Sequence, residues 1–377
     1  PQKLGVRDVL FAGDRVVHIA EHIEPNPAYG EVEVIDCIGC SVVPGYVDQH
    51  VHLIGGGGEG SFSTRTPEVM LSDLTSCGIT TVVGTLGTDS VTRHMTSLLA
   101  KARGLEEEGI STWIYTGAYD VPVPTLTGSV RTDIIIVDKV VGVGEVAMSD
   151  HRSSQPTKTD FAQLAAQARV GGMLSGKAGV LHIHLGDGKA MIDWVFDLIK
   201  ETELPITQFT PTHFNKNKTL FMEGVRFAKA GGMVDIITTS SSSISPGRIQ
   251  PPEALKICVE EGVPLDRVTM SSDGNGSLPV FDAAGKLMGL VAASPASLHK
   301  AVRDIVQAGI LPLEDALRPV TVNPARSLKL PRKGALKVGF DADAVVLDAE
   351  LNVRDVFAKG RTMVREKTVV VKGVFEK

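Results

Sequence analysis

Cysteine is scarce in this chain: four residues among 377 do not make a disulfide scaffold. Cys37 and Cys40 form one C-x-x-C, but no second such pair or nearby histidine pair completes a structural zinc site. Four reduced, mostly buried thiols are expected. Basic residues are also short, with 38 Lys and Arg against 44 Asp and Glu and a net charge of -6. No basic run is available to neutralise a nucleic-acid backbone. Long apolar stretches are missing: none reaches the ~18 uninterrupted residues of a membrane span. The most apolar segment, Ile134 to Met148, is broken by Asp138, Lys139 and Glu145. The opening residues lack the apolar core of a signal peptide, so the cytoplasm is the default expectation. They also lack an initiator methionine, and a few preceding residues are expected.

What remains is an ordinary globular composition, 43% hydrophobic and 22% charged. Its length suits one large barrel plus a smaller domain. Eight β-rich runs can be picked out: Val47–His52, Ile79–Gly84, Thr112–Gly117, Val140–Ala147, Gly179–His184, Ile206–Thr212, Val234–Thr239 and Val268–Ser272. Helical spacing separates them at Ser90–Glu108, Gly188–Lys200, Leu220–Ala230 and Pro252–Glu261. This alternation predicts an α/β fold, a (β/α)8 TIM-type barrel over residues 45–333. Residues 1–44 and 334–377 have a different texture, with short alternating runs such as Glu31–Ile35, Ala344–Leu347 and Thr368–Val371. Neither flank can bury a core alone, so the two are expected to pair into one small β-sandwich domain. The tetraglycine Gly55–Gly58 reads as a flexible loop.

His50 and His52 are separated by one residue in a predicted strand. Residues i and i+2 face the same side, so both imidazoles point to the barrel axis. They end the first strand, at the rim where barrel enzymes carry their chemistry. Glu145 lies near the end of the fourth strand, His184 ends the fifth, His213 follows the sixth and Asp273 ends the eighth. Singly, each has an ordinary alternative: His184 as a core histidine, Asp273 as a helix cap. Together they point to a metal site. His182 shares the strand face of His184, either orienting a ligand or simply packing. His18, His22, His94, His151 and His299 show no partner in the sequence.

The segment Pro44-Gly45-x-x-Asp48-x-His50-x-His52 resembles the opening signature of the amidohydrolase superfamily. Longer stretches resemble its β-aspartyl (isoaspartyl) dipeptidase branch: Asp48 to Glu59, Thr116 to Tyr119, Ser149 to Ser153, and Ser271 to Ser277. The tail from Lys337 to Ala344 resembles the small β domain of such enzymes. The resemblance implies two Zn2+ per subunit, with cobalt or manganese also suited to the ligands. His50, His52 and Asp273 would hold one metal, and His184 and His213 the other. Much of the family bridges the metals with a carbamylated lysine, and Glu145 stands at that place here. A glutamate is shorter, so the backbone must come closer, which Gly142 and Gly144 would permit. The alternative is a one-metal site in which Glu145 is no ligand.

The implied reaction is attack by a metal-bridging hydroxide on the scissile amide carbonyl. Asp273 would act as general base and then acid, and Tyr119 would donate to the oxyanion. Among substrate-binding residues, Glu59 suits the α-ammonium and Arg152 a carboxylate. Thr88 and Ser277 would add neutral hydrogen bonds. Lys216 stands where the relatives have arginine, which keeps the charge but loses the planar fork. The expected partner is a small β-aspartyl dipeptide, with no nucleic acid or membrane, and the assembly a homo-oligomer, an octamer by resemblance. The rival functions are a dihydroorotase- or hydantoinase-like cyclic-amide hydrolase, a deacetylase, or a non-catalytic scaffold.

Overall fold

In the computed structural model, residues 2–239, 247–282 and 287–377 are described. Six parallel strands form one continuous sheet in chain order: Tyr46–Val51, Ile79–Gly84, Ser111–Thr116, Val140–Met148, Val180–Leu185 and Phe209–Thr212. Val234–Ile237 and Val268–Ser271 pair in parallel as a second sheet. A parallel bridge between Val51 and Gly274, with the His52 amide donating to the Gly274 carbonyl at 2.8 Å, ties the eighth strand to the first. Between the sixth and seventh strands the links include side chains. Thr212 Oγ1 donates to Asp235 at 2.7 Å, and Asn215 Oδ1 accepts from the Ile237 amide at 3.0 Å. All residues of the first, second, fourth and fifth strands are buried, as expected of a parallel sheet covered on both faces.

Helices cover the outside at Met95–Glu108, Asp193–Glu201, Lys218–Lys229 and Pro251–Glu260, close to the predicted spans. Lys218–Lys229 starts where Asn217 Oδ1 accepts from the Leu220 amide at 2.9 Å, an N-cap. Pro251 and Pro252 occupy the first turn of the Pro251–Glu260 helix, where the missing N–H costs nothing. The longest helix, Lys158–Ser175, was not anticipated. Its buried stripe at Phe161, Leu164, Ala165, Ala168, Gly171 and Gly172 has helical spacing, but small residues hide it.

Ser41–Pro44 is the edge of a five-stranded antiparallel sheet. The other four strands come from the C-terminal flank: Ala344–Leu347, Val353–Ala358, Arg361–Arg365 and Thr368–Val369. A hairpin of Asp8–Ala12 and Arg15–Ala20 lies beside it, joined by an Arg15–Asp341 bridge and by the rings of Phe11 and Phe357, 5.8 Å apart. Pro44 and Gly45 lead directly from this sheet into the barrel. A Cβ at position 45 would fall 2.2 Å from Thr80 Oγ1, so only glycine fits there.

Four expectations need correction. Glu31–Ile35 is not a strand: the segment is largely exposed and pairs with no described strand, although Ile35 packs against Ala344, Val346 and Phe357 of the small sheet. Ile206–Gln208 is a 3-10 turn, and the sixth strand begins only at Phe209. Cys37 and Cys40 are half-buried rather than buried, beside the Arg354 guanidinium. Gly55 and Gly56 are not a loose loop. They are buried, the Gly56 amide donates to Thr66 Oγ1 and to the Asn275 carbonyl, and a Cβ on Gly55 would meet the Thr66 carbonyl at 2.2 Å.

Candidate metal centre

The six ligand-type residues converge at the C-terminal rim of the barrel. Glu145 Oε1 lies 2.6 Å from His184 Nδ1 and 3.0 Å from His213 Nε2. Its other oxygen, Oε2, lies 3.3 Å from His50 Nε2 and 4.0 Å from His52 Nε2. Asp273 Oδ1 sits 3.4 Å from His50 Nε2 and 3.1 Å from His52 Nε2. Potential ligand atoms of His50, Glu145 and His213, and of His50, His52 and Asp273, fall within 4.8 Å of one another. Two overlapping triads thus share His50, with Glu145 presenting one oxygen to each side.

The strand backbone makes this possible. A Cβ on Gly144 would lie 2.6 Å from the His182 Cβ, and one on Gly142 would lie 2.6 Å from the Val180 carbonyl. Side chains at those positions would push apart the strands that carry Glu145 and His184. His213 and Asp273 both adopt left-handed backbone angles, with φ of 69° and 55°, at the ends of their strands. Such conformations cost energy for non-glycine residues and concentrate at functional sites.

The donor set fits divalent cations. Glu145 Oε2, His50 Nε2, His52 Nδ1 and His213 Nδ1 are buried with no hydrogen-bond partner, and four such atoms in one cluster suit a bound cation. Burial alone would lower the pKa of His50, yet Glu145 and Asp273 hold it well above the ordinary histidine value. Burial would likewise raise both carboxyls. For Glu145 the charges of His50 and His184 reverse that. For Asp273 the imidazoles of His50 and His52, 3.4 and 3.1 Å from Oδ1, do so, and both carboxyls stay well below the usual range. The buried carboxylates thus sit where positive charge is favoured. Cations would supply that charge.

His182 lies beneath the cluster. Its Nε2 is 2.7 Å from His50 Nδ1, and its Nδ1 is 2.9 Å from the Thr210 carbonyl. That carbonyl can only accept, so His182 carries its proton at Nδ1 and accepts from His50 at Nε2. His50 is thereby left with Nε2 free to face Glu145 and Asp273. The Tyr115 ring stacks on His182 at 4.6 Å, locking it in place.

On the open side, Tyr119 Oη is 2.6 Å from His184 Nδ1. Burial, with the Glu145 carboxylate nearby, raises its pKa well above the ordinary phenol value, so it stays a donor. Glu59 Oε1 accepts from Thr88 Oγ1 at 2.8 Å and from Arg152 at 3.2 Å. Arg152 forks onto Asp150 with contacts of 3.0 and 2.9 Å, and its NH2 lies 3.0 Å from His184 Nε2. Lys216 Nζ is also 3.0 Å from His184 Nε2. Burial, with Arg152 and Arg248 opposing Asp150, brings its ammonium down to about 8. Ser277 joins the rim against Gly57, whose Cβ would lie 2.7 Å from the serine Cβ. Thr88, Glu59, Arg152 and Lys216 are thus linked by contacts that run to His184, and Ser277 packs beside the segment that carries Glu59.

Three residues escaped the sequence reading. Asp150 appears there only inside a motif. Arg93 donates to the carbonyls of Ile54, Gly56, Gly57 and Thr66, fastening the glycine segment that carries Glu59. Arg248 reaches the mouth because Ile249 pairs with Asn215 through both its amide and its carbonyl, at 3.0 Å each. Arginines in connecting segments, Arg93 just before the Met95–Glu108 helix and Arg248 just before the Pro251–Glu260 helix, carry no local signal of such placement. Of the five histidines without a legible partner, His22 meets Asp8 and Glu24. His299 meets the Tyr46 hydroxyl and the Leu351 carbonyl.

Residues 41–375 match the amidohydrolase family. The chain belongs to that family. A β-aspartyl dipeptidase from the thermophilic, keratin-degrading Fervidobacterium islandicum AW-1, solved in complex with a β-Asp-Leu dipeptide, is 44% identical. The match covers 96% of this chain and 94% of that one, with a TM-score of 0.88. A dihydropyrimidinase from Brevibacillus agri NCHU1002 shares the fold at 16% identity, with 97% and 93% covered and a TM-score of 0.68. A dihydroorotase from Ehrlichia chaffeensis is 24% identical over 390 residues, spanning 92% of this chain and 83% of the relative.

Proposed function

We propose that this amidohydrolase cleaves the isopeptide bond of β-aspartyl dipeptides, using two divalent cations, zinc by preference. The observation that carries this reading is the pairing of a Glu145-centred cluster with Glu59, Arg152 and Lys216 around one mouth. A β-aspartyl dipeptide offers one ammonium and two carboxylates; Glu59 can meet the first, and Arg152, Lys216 and Arg248 the others, with Asp150 engaged by Arg152. The similarity to a dipeptidase solved with β-Asp-Leu supports the same assignment.

His50, His52 and Asp273 would hold one cation, His184 and His213 the other, and Glu145 would bridge them. Bound there, the cations supply a nucleophilic hydroxide near neutral pH and polarise the scissile carbonyl. Asp273 takes the proton of the attacking group and returns it to the leaving amine. Tyr119 donates to the oxygen that gains charge. Glu59 accepts from the substrate ammonium, with Thr88 and Ser277 beside it. Arg152, Lys216 and Arg248 read the carboxylates.

The division into a barrel of residues 45–333 and a small sandwich from 1–44 and 334–377 belongs to the same reading, with the hairpin and the five-stranded sheet as its layers. So do the cytoplasmic location and the homo-oligomeric assembly. A cyclic-amide hydrolase would leave Glu59 without an ammonium to pair. The deciding assay follows leucine release from β-aspartyl-leucine by zinc-loaded protein, with α-aspartyl-leucine, dihydroorotate and hydantoin in parallel. Cleavage of the β-linked peptide alone is expected. Turnover of a ring substrate with none of the peptide would move the assignment to the cyclic-amide hydrolases.

A further inference from the structure

We infer that Asp150 is a positioning residue that fixes the tautomer of His184 and the direction of Arg152 with one carboxylate. The metal half of this inference rests on the proposed role of His184 in holding a cation, and the substrate half rests on the proposed dipeptidase function. His184 turns Nδ1 toward Glu145 at 2.6 Å. To bind a cation at that atom, the ring must keep the Nδ1 lone pair free and carry its proton on Nε2. A proton on Nε2 needs an acceptor. Four groups surround Nε2: Arg152 NH2 at 3.0 Å, Lys216 Nζ at 3.0 Å, Asp150 Oδ2 at 3.1 Å and Tyr119 Oη at 3.4 Å. A guanidinium and an ammonium only donate, and the Tyr119 hydroxyl lies closer to Nδ1, at 2.6 Å, so the Asp150 carboxylate is the acceptor that a proton on Nε2 meets.

The consequence of losing that carboxylate is specific. With Asp150 gone, Nε2 would face two donors, and the ring would answer with the other tautomer. The proton would move to Nδ1 and point at Glu145, where the cation must sit. The same carboxylate takes the Arg152 fork, Nε to Oδ1 at 3.0 Å and NH2 to Oδ2 at 2.9 Å, while the Arg152 amide donates to Oδ1 at 2.9 Å. The Asp150 side chain is 6% exposed, and it follows Ser149, which has a left-handed φ of 55°. Ser149 Oγ donates to the Met191 carbonyl at 2.8 Å, and a Cβ on Gly186 would meet the Ser149 carbonyl at 2.0 Å. The loop after the fourth strand is thus packed against the loop after the fifth, which fixes Asp150 opposite His184.

The test compares Asp150→Ala and Asp150→Asn with the unmodified chain. Zinc retention is read by competition with a chromophoric chelator and by metal analysis after dialysis, which needs no activity. The alanine variant is expected to hold zinc about 10–100-fold more weakly, the range for losing a group that orients a ligating histidine. Its KM for β-aspartyl-leucine at saturating zinc is expected to rise at least tenfold. Asparagine keeps one acceptor and should fall between the two. If the alanine variant does not fold, the isosteric asparagine decides by itself. A merely structural role would lower the melting temperature and leave zinc affinity and KM within twofold of the parent, and that result overturns the inference. If the unmodified chain cleaves no β-aspartyl peptide but the variants lose zinc as expected, the dipeptidase reading falls while the role of Asp150 at His184 stands.

Discussion

Glu145 holds its two oxygens apart, with Oε1 2.6 Å from His184 Nδ1 and Oε2 turned to the histidine pair of the first strand. A carboxylate that serves only one neighbour has no need to sit fully buried with Oε2 unpartnered. Its side chain is shorter than a carbamylated lysine, and Gly142 and Gly144 let its strand lie close against the next.

Glu145→Gln tests this bridge. The amide keeps the shape but loses the charge and one acceptor. Two zinc ions per chain are expected in the parent and one or none in the variant after dialysis. Hydrolysis should fall by at least about 100-fold. A variant that retains two ions and full activity would show that the bridge is not needed.

His182→Phe tests the layer below. The ring shape survives, but His50 Nδ1 loses its acceptor 2.7 Å away. His50 can then present either nitrogen, and zinc affinity is expected to drop about 10–100-fold. Unfolding by urea monitors the packing separately, since Tyr115 should stack on the new ring. Unchanged zinc affinity would reduce His182 to a packed barrel side chain.

Much of this was legible in the chain because the signals are local. His50-Val51-His52 reveals its geometry through the two-residue period of a strand. His184, His213 and Asp273 fall at or just beyond the ends of apolar runs, and Glu145 lies within the Val140–Met148 strand. The strands themselves appeared within about a residue of their ends at most positions. What stayed hidden depends on approach across the fold. Asp150 and His184 are 34 residues apart, and Arg93 reaches carbonyls up to 39 residues away. The Lys158–Ser175 helix was hidden for another reason: alanine and glycine fill its buried face, so the hydrophobic period is faint. The tetraglycine misled because glycine signals both looseness and close approach, and here the second holds.

Lys216→Met addresses the substrate carboxylate. The ammonium is buried among Arg152, Arg248 and Asp150, where a charge without an anionic guest is poorly favoured. A bound carboxylate would supply that guest. Removing the charge should raise KM for β-aspartyl-leucine about 10–100-fold, the worth of one charged hydrogen bond, with a smaller change in kcat. Equal KM values for parent and variant would leave Arg152 and Arg248 as the carboxylate readers. Lys216→Arg restores the charge with a fork, and a recovered KM would show that charge rather than length matters.

The last prediction concerns the junction between the barrel and the small sheet. Lys333 Nζ is buried 2.7 Å from Asp341 and 2.6 Å from Asp343, and Asp343 accepts from the Gly45 amide where the chain enters the barrel. Burial would raise the Asp341 pKa, but Lys333, with Arg332 and Arg15, pulls it below the ordinary value. A folded pKa below the unfolded one means that the unfolded chain binds more protons in that window. The stabilisation is therefore complete above the unfolded value of about 4, and it fades as pH falls through the folded value. Lys333→Met leaves the two carboxylates facing one another without their shared cation. Breaking a buried pair in this way should cost about 3–5 kcal/mol at pH 7, read by urea unfolding of metal-free protein. Near pH 3 the difference between parent and variant should shrink, because protonated carboxyls no longer need the cation. A difference that stays constant from pH 7 to pH 3 would assign the loss to packing of the lysine stem instead of its charge.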